Sequence, residues 1–275
     1  MINLNTMFET RGLKIIVTGG GGVLCGNMAV ALAKLGASIA ILDIDPEKAR
    51  QVVEEIARAG GDAFALACDV TQPESVRAAY DQIRNRWDRI DVLVNGAGGN
   101  HPSASTNKEV ALFDLDPDAV NKVFALNFTG TFIPSQIFGK AMAAQGNGNI
   151  VNIASMNSVR PLTRIPAYSA AKAAVANFTQ WLAVHMAQEY SPQIRVNAIA
   201  PGFFITKQTR FLLTNPETGG YTPRGQAVIA HTPMKRMGEA DDLLSTLIWL
   251  ISPGASFVTG IMVPVDGGFS AFSGV

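Results

Sequence analysis

The chain has 275 residues, 48% of them apolar and 16% charged, and 22 basic and 22 acidic side chains leave a formal net charge of +0 at pH 7. Such a chain can bury a substantial core, but it lacks the basic surplus that general nucleic-acid binding or adhesion to an acidic membrane requires. No apolar run reaches the roughly 18 residues of a spanning helix, and residues 1–11 hold no apolar segment behind a basic start, so neither membrane insertion nor secretion is expected. Cys25 and Cys68 form neither a disulfide framework nor a CxxC pair, which fits a reduced, cytoplasmic protein. His101, His185 and His231 have no metal-ligand spacing, and no metal site is expected.

Apolar runs and helical segments alternate from the start. Residues 13–18 read as a strand ending in glycines, and 28–35 as a helix stopped by Gly36. A second strand over 38–42 precedes a helix over 46–59, with Pro46 suited to its first turn and Gly60 to its end. The order continues as strand 63–68, helix 73–86, strand 91–94, long helix 117–144, strand 149–153, long helix 167–189, strand 194–198, helix 241–251 and strand 261–265. Continuous apolar strands are buried on both faces, and helices between them imply right-handed crossovers. The expectation is a single α/β domain over 1–275, a doubly wound Rossmann-type parallel sheet with helices on both faces. Residues 98–116 and 201–238 break the rhythm and are expected to be long irregular loops that carry specificity.

Gly19, Gly20, Gly21 and Gly22 follow the first strand and precede its helix. Glycines there let the backbone approach a pyrophosphate, whose charge the helix N-terminus favours. Asp43 ends the second strand, where a carboxylate accepts hydrogen bonds from both ribose hydroxyls and repels a 2′-phosphate. Its successors Ile44, Asp45 and Pro46 offer no cation for such a phosphate, so NAD is favoured over NADP. Asp43 is alternatively a cap for the following helix, a role that Asp45 fits better by position. Asp69, and the run Asn95, Gly96, Ala97, Gly98, also end strands on the edge where open α/β sheets bind ligands, although either could be turn chemistry.

Tyr168 and Lys172 lie four apart on a predicted helix, which puts phenol and ammonium on one face. Ser155 follows the 149–153 strand, and Asn127 lies in the preceding long helix. Taken with Thr18-Gly19, Asp69-Val70, Asn95 to Gly98, Arg195-Val196-Asn197, Pro201-Gly202 with Thr206, and Asp266-Gly267-Gly268, the chain resembles the short-chain dehydrogenase/reductase family over essentially its whole length. One departure stands out. Counted without a gap, the family's TGxxxGxG pattern puts its second and third glycines on Val23 and Cys25, whereas a shift of one residue offers Gly22 and Gly26.

The resemblance implies an NAD-dependent oxidoreductase. It assigns Tyr168 as proton donor and acceptor, Lys172 as the cation that lowers the tyrosine pKa and holds the nicotinamide ribose, Ser155 as the donor to the substrate oxygen, and Asn127 as support for a water relay. It implies cofactor contacts from Gly19, Gly21, Gly22, Val23, Leu24, Asp43, Asp69, Val70, Asn95, Gly96, Ala97, Tyr168, Lys172, Pro201, Gly202, Phe204 and Thr206. A free tyrosine has a pKa near 10, so base catalysis at neutral pH needs a shift of roughly three units, about 4 kcal/mol.

Residues 18–26, 95–102, 155–172, 201–204 and 265–275 carry a narrower resemblance, to the bacterial D-mannonate oxidoreductases of the short-chain type, also called fructuronate reductases. That likeness implies a sugar-acid substrate, D-mannonate or D-fructuronate, with another aldonate or polyol such as gluconate as the alternative and a non-catalytic dinucleotide-binding regulator as a further one. A polyhydroxy acid wants cations for its carboxylate and amides and hydroxyls for its alcohols. Asn100, His101, Asn157, Arg160 and Arg164, with Ser155, lie in segments flanking the expected site. Arg160 and Arg164 are equally readable as solvated charges or subunit contacts, and His101 as a residue that shapes the loop before Pro102. Lys207 and Arg210 fit surface charge better, and Phe203, Phe204 and Phe211 are either a cover over the cofactor or ordinary core. The resemblance implies a homotetramer packed through the long helices.

Overall fold

The computed structural model describes residues 4–206 and 209–274. Its centre is one seven-stranded sheet in the order β3-β2-β1-β4-β5-β6-β7, with every neighbouring pair parallel. The strands are β1 (Lys14–Thr18), β2 (Ser38–Asp43), β3 (Asp62–Ala67), β4 (Val92–Asn95), β5 (Gly148–Ile153), β6 (Ile194–Pro201) and β7 (Met262–Val265). Connecting them are α1 (Val23–Lys34), α2 (Pro46–Arg58), α3 (Pro73–Arg84), α4 (Pro117–Phe124), α5 (Gly130–Gln145), α6 (Pro166–Glu189), α7 (Arg210–Leu213), α8 (Pro223–His231) and α9 (Leu244–Ile251). This is the doubly wound architecture the alternating pattern predicts.

The sheet is apolar on both faces because helices cover both. Ile15 and Val17 of β1 face a core shared with α1, α2 and α9, while Ile16 between them faces a second core with α3, α5 and α6. Pro and acidic residues start the crossovers: Asp45 caps α2 by accepting from the Glu47 and Lys48 amides, and Asp116 caps α4 by accepting from Asp118.

Three elements differ from the sequence expectation. The first helix begins at Val23 rather than residue 28, directly on the glycine run, and Gly22 serves as an N-cap without a side chain. The stretch expected as one helix over 117–144 contains a π turn at Ala125–Thr129, and its cause is local. Asn127 turns its side-chain amide back onto the Val123 carbonyl at 2.8 Å, and Thr131 Oγ1 donates to the Asn127 carbonyl at 2.8 Å, so side chains take acceptors that the regular helical ladder would use. The third is the supposed irregular loop 201–238, which contains α8. Thr222 caps it through Oγ1, which accepts from the Gly225 amide at 3.1 Å, and Pro223 occupies its first turn. A short amphipathic helix inside a polar stretch leaves too few periods to register.

Phe138 of α5 is fully buried in the core on the α3–α5–α6 side. Phe138→Ala should cost about 3–5 kcal/mol, read as a lowered midpoint in urea unfolding followed by circular dichroism.

Candidate active site

The strand order reverses between β1 and β4, and the crevice at that reversal is where open α/β sheets bind ligands. Thr18 Oγ1, at the end of β1, accepts from the Gly96 and Ala97 amides at 3.1 and 3.3 Å. Gly19 adopts φ +63°, and a Cβ there would come within 2.7 Å of Ala97 Cα, so the two strand-end loops touch backbone to backbone. Only glycine satisfies both conditions. Beside them the first-turn amides of α1, at Val23, Leu24 and Cys25, have no intrahelical acceptor and no capping side chain.

Cys25 occupies the position of the family pattern's third glycine in the gapless count. Its sulfur is buried where a Cβ at Gly96 would stand, and burial pushes the thiol up to about 12. The bulk that the pattern excludes at one position is absorbed by glycine at the facing one.

Asp43 ends β2 with both carboxylate oxygens engaged. Oδ2 accepts from the Gly21 amide at 3.0 Å and Oδ1 from the Asp45 amide at 3.0 Å. Gly21 therefore acts by holding the carboxylate at the crevice, while Asp45 takes the capping role. Asp69 accepts from the Thr71 amide and hydroxyl at 2.9 and 2.7 Å, and Val70 is buried against Gly130. Asn95 is 1% exposed and donates to Ser135 and Asn152, each at 2.9 Å. Its side chain belongs to a polar network between strands and helices rather than to the crevice, so only its backbone is placed for a cofactor. Gly202 approaches Asp266 too closely for a side chain. The Phe204 ring is buried against Gly238 in the core, the second of the two alternatives the sequence offers for it. Thr206 makes a local turn with Thr209. Phe203 is partly buried, Phe211 is 70% exposed, and Lys207 lies outside the described residues.

The side chains expected to do chemistry meet on the other side of this crevice. Ser155 follows β5, and its Oγ accepts from the Asn157 amide and from Asn157 Nδ2 at 3.2 and 3.3 Å. Its own hydrogen is thereby left to face the Tyr168 phenol, on whose pKa it exerts a lowering pull. Tyr168 lies in the first turn of α6 and Lys172 one turn later. Lys172 is 4% exposed and its Nζ donates to the Ile153 carbonyl at 2.7 Å. Asn127 clamps the loop after β4: Nδ2 donates to the Gly99 carbonyl at 2.7 Å and Oδ1 accepts from the Gly99 amide at 3.2 Å. A Cβ at Gly98 would stand 2.7 Å from Asn127 Oδ1 and 3.2 Å from Lys172 Nζ, so Asn127 and Lys172 meet beside that glycine, with Tyr168 one turn before Lys172 on α6.

Burial pushes the Tyr168 phenol above its ordinary value, and Ser155 opposes that rise. The Lys172 nitrogen stands 5.8 Å from the Tyr168 ring centre, and burial brings its own pKa down to about 8.

The expected substrate residues divide. Asn157 is buried, and its oxygen accepts from the Leu162 amide at 3.0 Å and from Ser169 Oγ at 3.4 Å. Its oxygen is thus committed to the loop and one Nδ2 hydrogen to Ser155, so Asn157 positions Ser155. Asn100 donates to Ser105 at 2.9 Å, and His101 Nδ1 accepts from the Ser103 amide at 3.2 Å, which fits the loop-shaping reading. Arg160 Nε donates to the Ser270 carbonyl at 3.0 Å. Arg164 is exposed with φ +73°, a backbone region costing a side-chain residue about 1–3 kcal/mol. Among the described residues no group of three potential metal ligands occurs.

The family model described as enoyl-(acyl carrier protein) reductase matches residues 24–270. The chain belongs to the short-chain dehydrogenase/reductase family. As a member of that family it is a nicotinamide-dependent oxidoreductase, as its motifs predict. It is 49% identical to the uncharacterized oxidoreductase UxuB of Bacillus subtilis, over 96% of this chain and 97% of that one. A crystal structure of a provisionally named D-mannonate oxidoreductase from Haemophilus influenza, with bound NAD, is 45% identical, with a TM-score of 0.89 and coverage of 98% of this chain and 99% of that one. At 32% identity the 7alpha-hydroxysteroid dehydrogenase of Escherichia coli (95% of this chain, 98% of the relative) and its 5-keto-D-gluconate 5-reductase (96% and 98%) are matched as well.

In this short-chain dehydrogenase the buried Lys172 sets a conflict between stability and function. With its folded pKa near 8 and an ordinary value of 10.5, the burial penalty is present in full below about pH 8 and fades as pH rises toward 10.5. Lys172→Met should therefore raise the denaturation midpoint at pH 7, with a smaller gain at pH 10, while losing turnover. Parallel urea titrations at the two pH values check this.

Proposed function

We propose that this enzyme interconverts the alcohol and ketone of a sugar acid, D-mannonate and D-fructuronate, with NAD, the whole chain acting as one catalytic domain. The observation that supports the reaction type is the placement of Asn127 and Lys172 together beside Gly98, with Tyr168 one helical turn from Lys172 and next to Ser155. The substrate reading is supported by the likeness to the NAD-bound Haemophilus protein.

The residues at the crevice suit a dinucleotide. The first-turn amides at Val23, Leu24 and Cys25 are free for a pyrophosphate. The backbone admits close approach at Gly19, Gly22, Gly96 and Ala97, and Asp43 stands where the adenosine ribose would lie. Asp69, Val70, the Asn95 backbone, Pro201, Gly202 and Thr206 complete the edge. Bound there, a nicotinamide supplies the hydride acceptor or donor. The protein handles the proton. A phenol with an ordinary pKa near 10 is protonated at neutral pH, the form that donates to a carbonyl oxygen during reduction, and burial pushes Tyr168 further up. Ser155 would donate a hydrogen bond to the same oxygen, and Lys172 would hold the nicotinamide ribose. In oxidation the phenolate must remove the alcohol proton, which becomes easier as pH rises.

A second reading, oxidation of another aldonate such as gluconate, is favoured by the 5-keto-D-gluconate 5-reductase relative. We further infer a cytoplasmic enzyme, since both thiols are free and buried and no helix among the described residues is long and apolar enough to cross a membrane. Exposed Phe132 on α5 and Trp181 and Val184 on α6 support the homotetramer.

Tyr168→Phe should lower turnover at least about a hundredfold while NADH still binds; unchanged turnover would sink the proton-transfer assignment. In the wild type kcat/KM for D-mannonate oxidation should rise through the alkaline range, while that for D-fructuronate reduction stays level around neutrality. NADH oxidation at 340 nm with D-fructuronate beside 5-keto-D-gluconate separates the two substrate readings. NADH should be preferred to NADPH, and Asp43→Ser should narrow that preference; an initial preference for NADPH would refute the role given to Asp43.

A further inference from the structure

We propose that Arg164, Arg224 and His231 form the carboxylate-recognition end of the substrate site, selecting an acidic polyhydroxy ketone over its uncharged counterpart. The proposal rests on the hydride-transfer reading above and names residues it leaves unassigned. All three line a cavity of ≈ 440 Å³ that has no acidic side chain in its wall. The cavity lies between the segment joining Ser155 to Tyr168, which supplies Arg164, and α8, which follows the end of β6.

Its wall is tied to the chemistry. The Leu162 amide, in the same wall, donates to Asn157 Oδ1 at 3.0 Å, and Asn157 Nδ2 donates to Ser155 Oγ at 3.3 Å. Two hydrogen bonds thus separate the cavity from the group that faces the substrate oxygen. Phe203, immediately beyond Pro201 and Gly202, supplies the other side and meets Phe269 edge-on at 5.1 Å.

Helix α8 is built to present cations here. Arg224, Ala227, Val228 and His231 all line the cavity, and their spacing of three, four and seven places them on one helical face. Ala227 leaves room between the two polar side chains. The His231 ring is fixed by Phe269 and Phe272 at 4.7 and 5.0 Å, leaving its ring nitrogens as the polar handle. Neither Arg164 nor Arg224 makes a side-chain ion pair or hydrogen bond among the described residues, whereas Arg50, Arg77, Arg89 and Arg236 are paired with carboxylates.

Fold stability gives no reason for this placement. Arg224 sits in the first turn of α8, at the positive end of its dipole, where a cation is unfavourable. Arg164 holds a left-handed backbone conformation that glycine would adopt without strain, pinned by the Thr106 amide donating to its carbonyl at 2.9 Å. Both features bring guanidinium forks to one opening, and a fork matches a carboxylate with two parallel hydrogen bonds. A neutral ligand would cover the same cations without compensating them, which is the basis of selection. Arg160 has a different part: it holds the Ser270 carbonyl beside Phe269 and so builds the wall.

The test compares kcat/KM for D-fructuronate with that for its methyl ester, which keeps the skeleton and removes the charge, in wild type, Arg224→Gln, Arg164→Gln, His231→Gln and Arg224→Lys. The wild type should favour the free acid at least a hundredfold. Each arginine-to-glutamine change should lower that ratio tenfold or more, chiefly through KM, His231→Gln should lower it less, and Arg224→Lys should keep part of it. An NADH dissociation constant within twofold of wild type marks each variant as folded. An unchanged ratio in the arginine variants, or no preference for the acid in the wild type, overturns the assignment. If 5-keto-D-gluconate is the better substrate, the D-fructuronate reading falls and the same ratio for that acid and its ester still judges the cavity. Calorimetric binding of D-mannonate and D-gluconate to the NADH complex gives the comparison without turnover: a tenfold weakening in Arg224→Gln supports the assignment, and equal affinity, or no binding of either acid to the wild type, overturns it.

Discussion

The contact between two strand ends holds this molecule's chemistry in place. Where the sheet changes direction, Thr18 Oγ1 takes two amides from the loop after β4, and Gly19 lies against Ala97 with no room for a side chain. On one side of that contact the first turn of α1 presents free amides, and on the other the Gly98–Gly99 loop is clamped by Asn127. Loosening it would separate the nucleotide end from the chemical end. The apolar strands buried on both faces supply the rigidity that keeps so small a contact fixed.

The chemical end is assembled from groups that the interior tolerates poorly. An ammonium buried to 4% exposure is held by one carbonyl, and burial raises the pKa of the phenol beside it. Around them Asn157 orients Ser155 and braces the following loop. Such arrangements lower stability locally and persist where positioning matters more.

The parallel, doubly wound sheet and most strands were legible because parallel strands buried on both faces read as continuous apolar runs, and because Pro and Gly punctuate the crossovers. The shared helix of Tyr168 and Lys172, and their closeness to Ser155, were legible through the fixed offset and the order of the three residues. Hydrogen-bond allegiance was not. Nothing in the residue order says that the Asn95 side chain turns inward to Asn152 and Ser135, that Asn157 faces Ser155, or that Phe204 packs on Gly238. Those choices depend on partners dozens of residues away. Helix α8 was missed although Thr222-Pro223 is a start signal, because nine residues give too short a pattern to stand out from the loop around it.

The π turn at Ala125–Thr129 has a consequence for how the protein tolerates length changes. A π turn holds one residue more than an α-helix needs, and each helical residue advances the direction of side chains by about 100°. Everything in α5, from Gly130 through the buried Phe138 and Met142, is therefore indexed to that extra residue. Removing one residue between Phe124 and Gly130 would regularise the helix and at the same time turn the α5 core face away from the sheet. The irregularity that aims Asn127 at the Gly99 loop is thus also the phase marker for a whole helix, and the two functions cannot be edited separately.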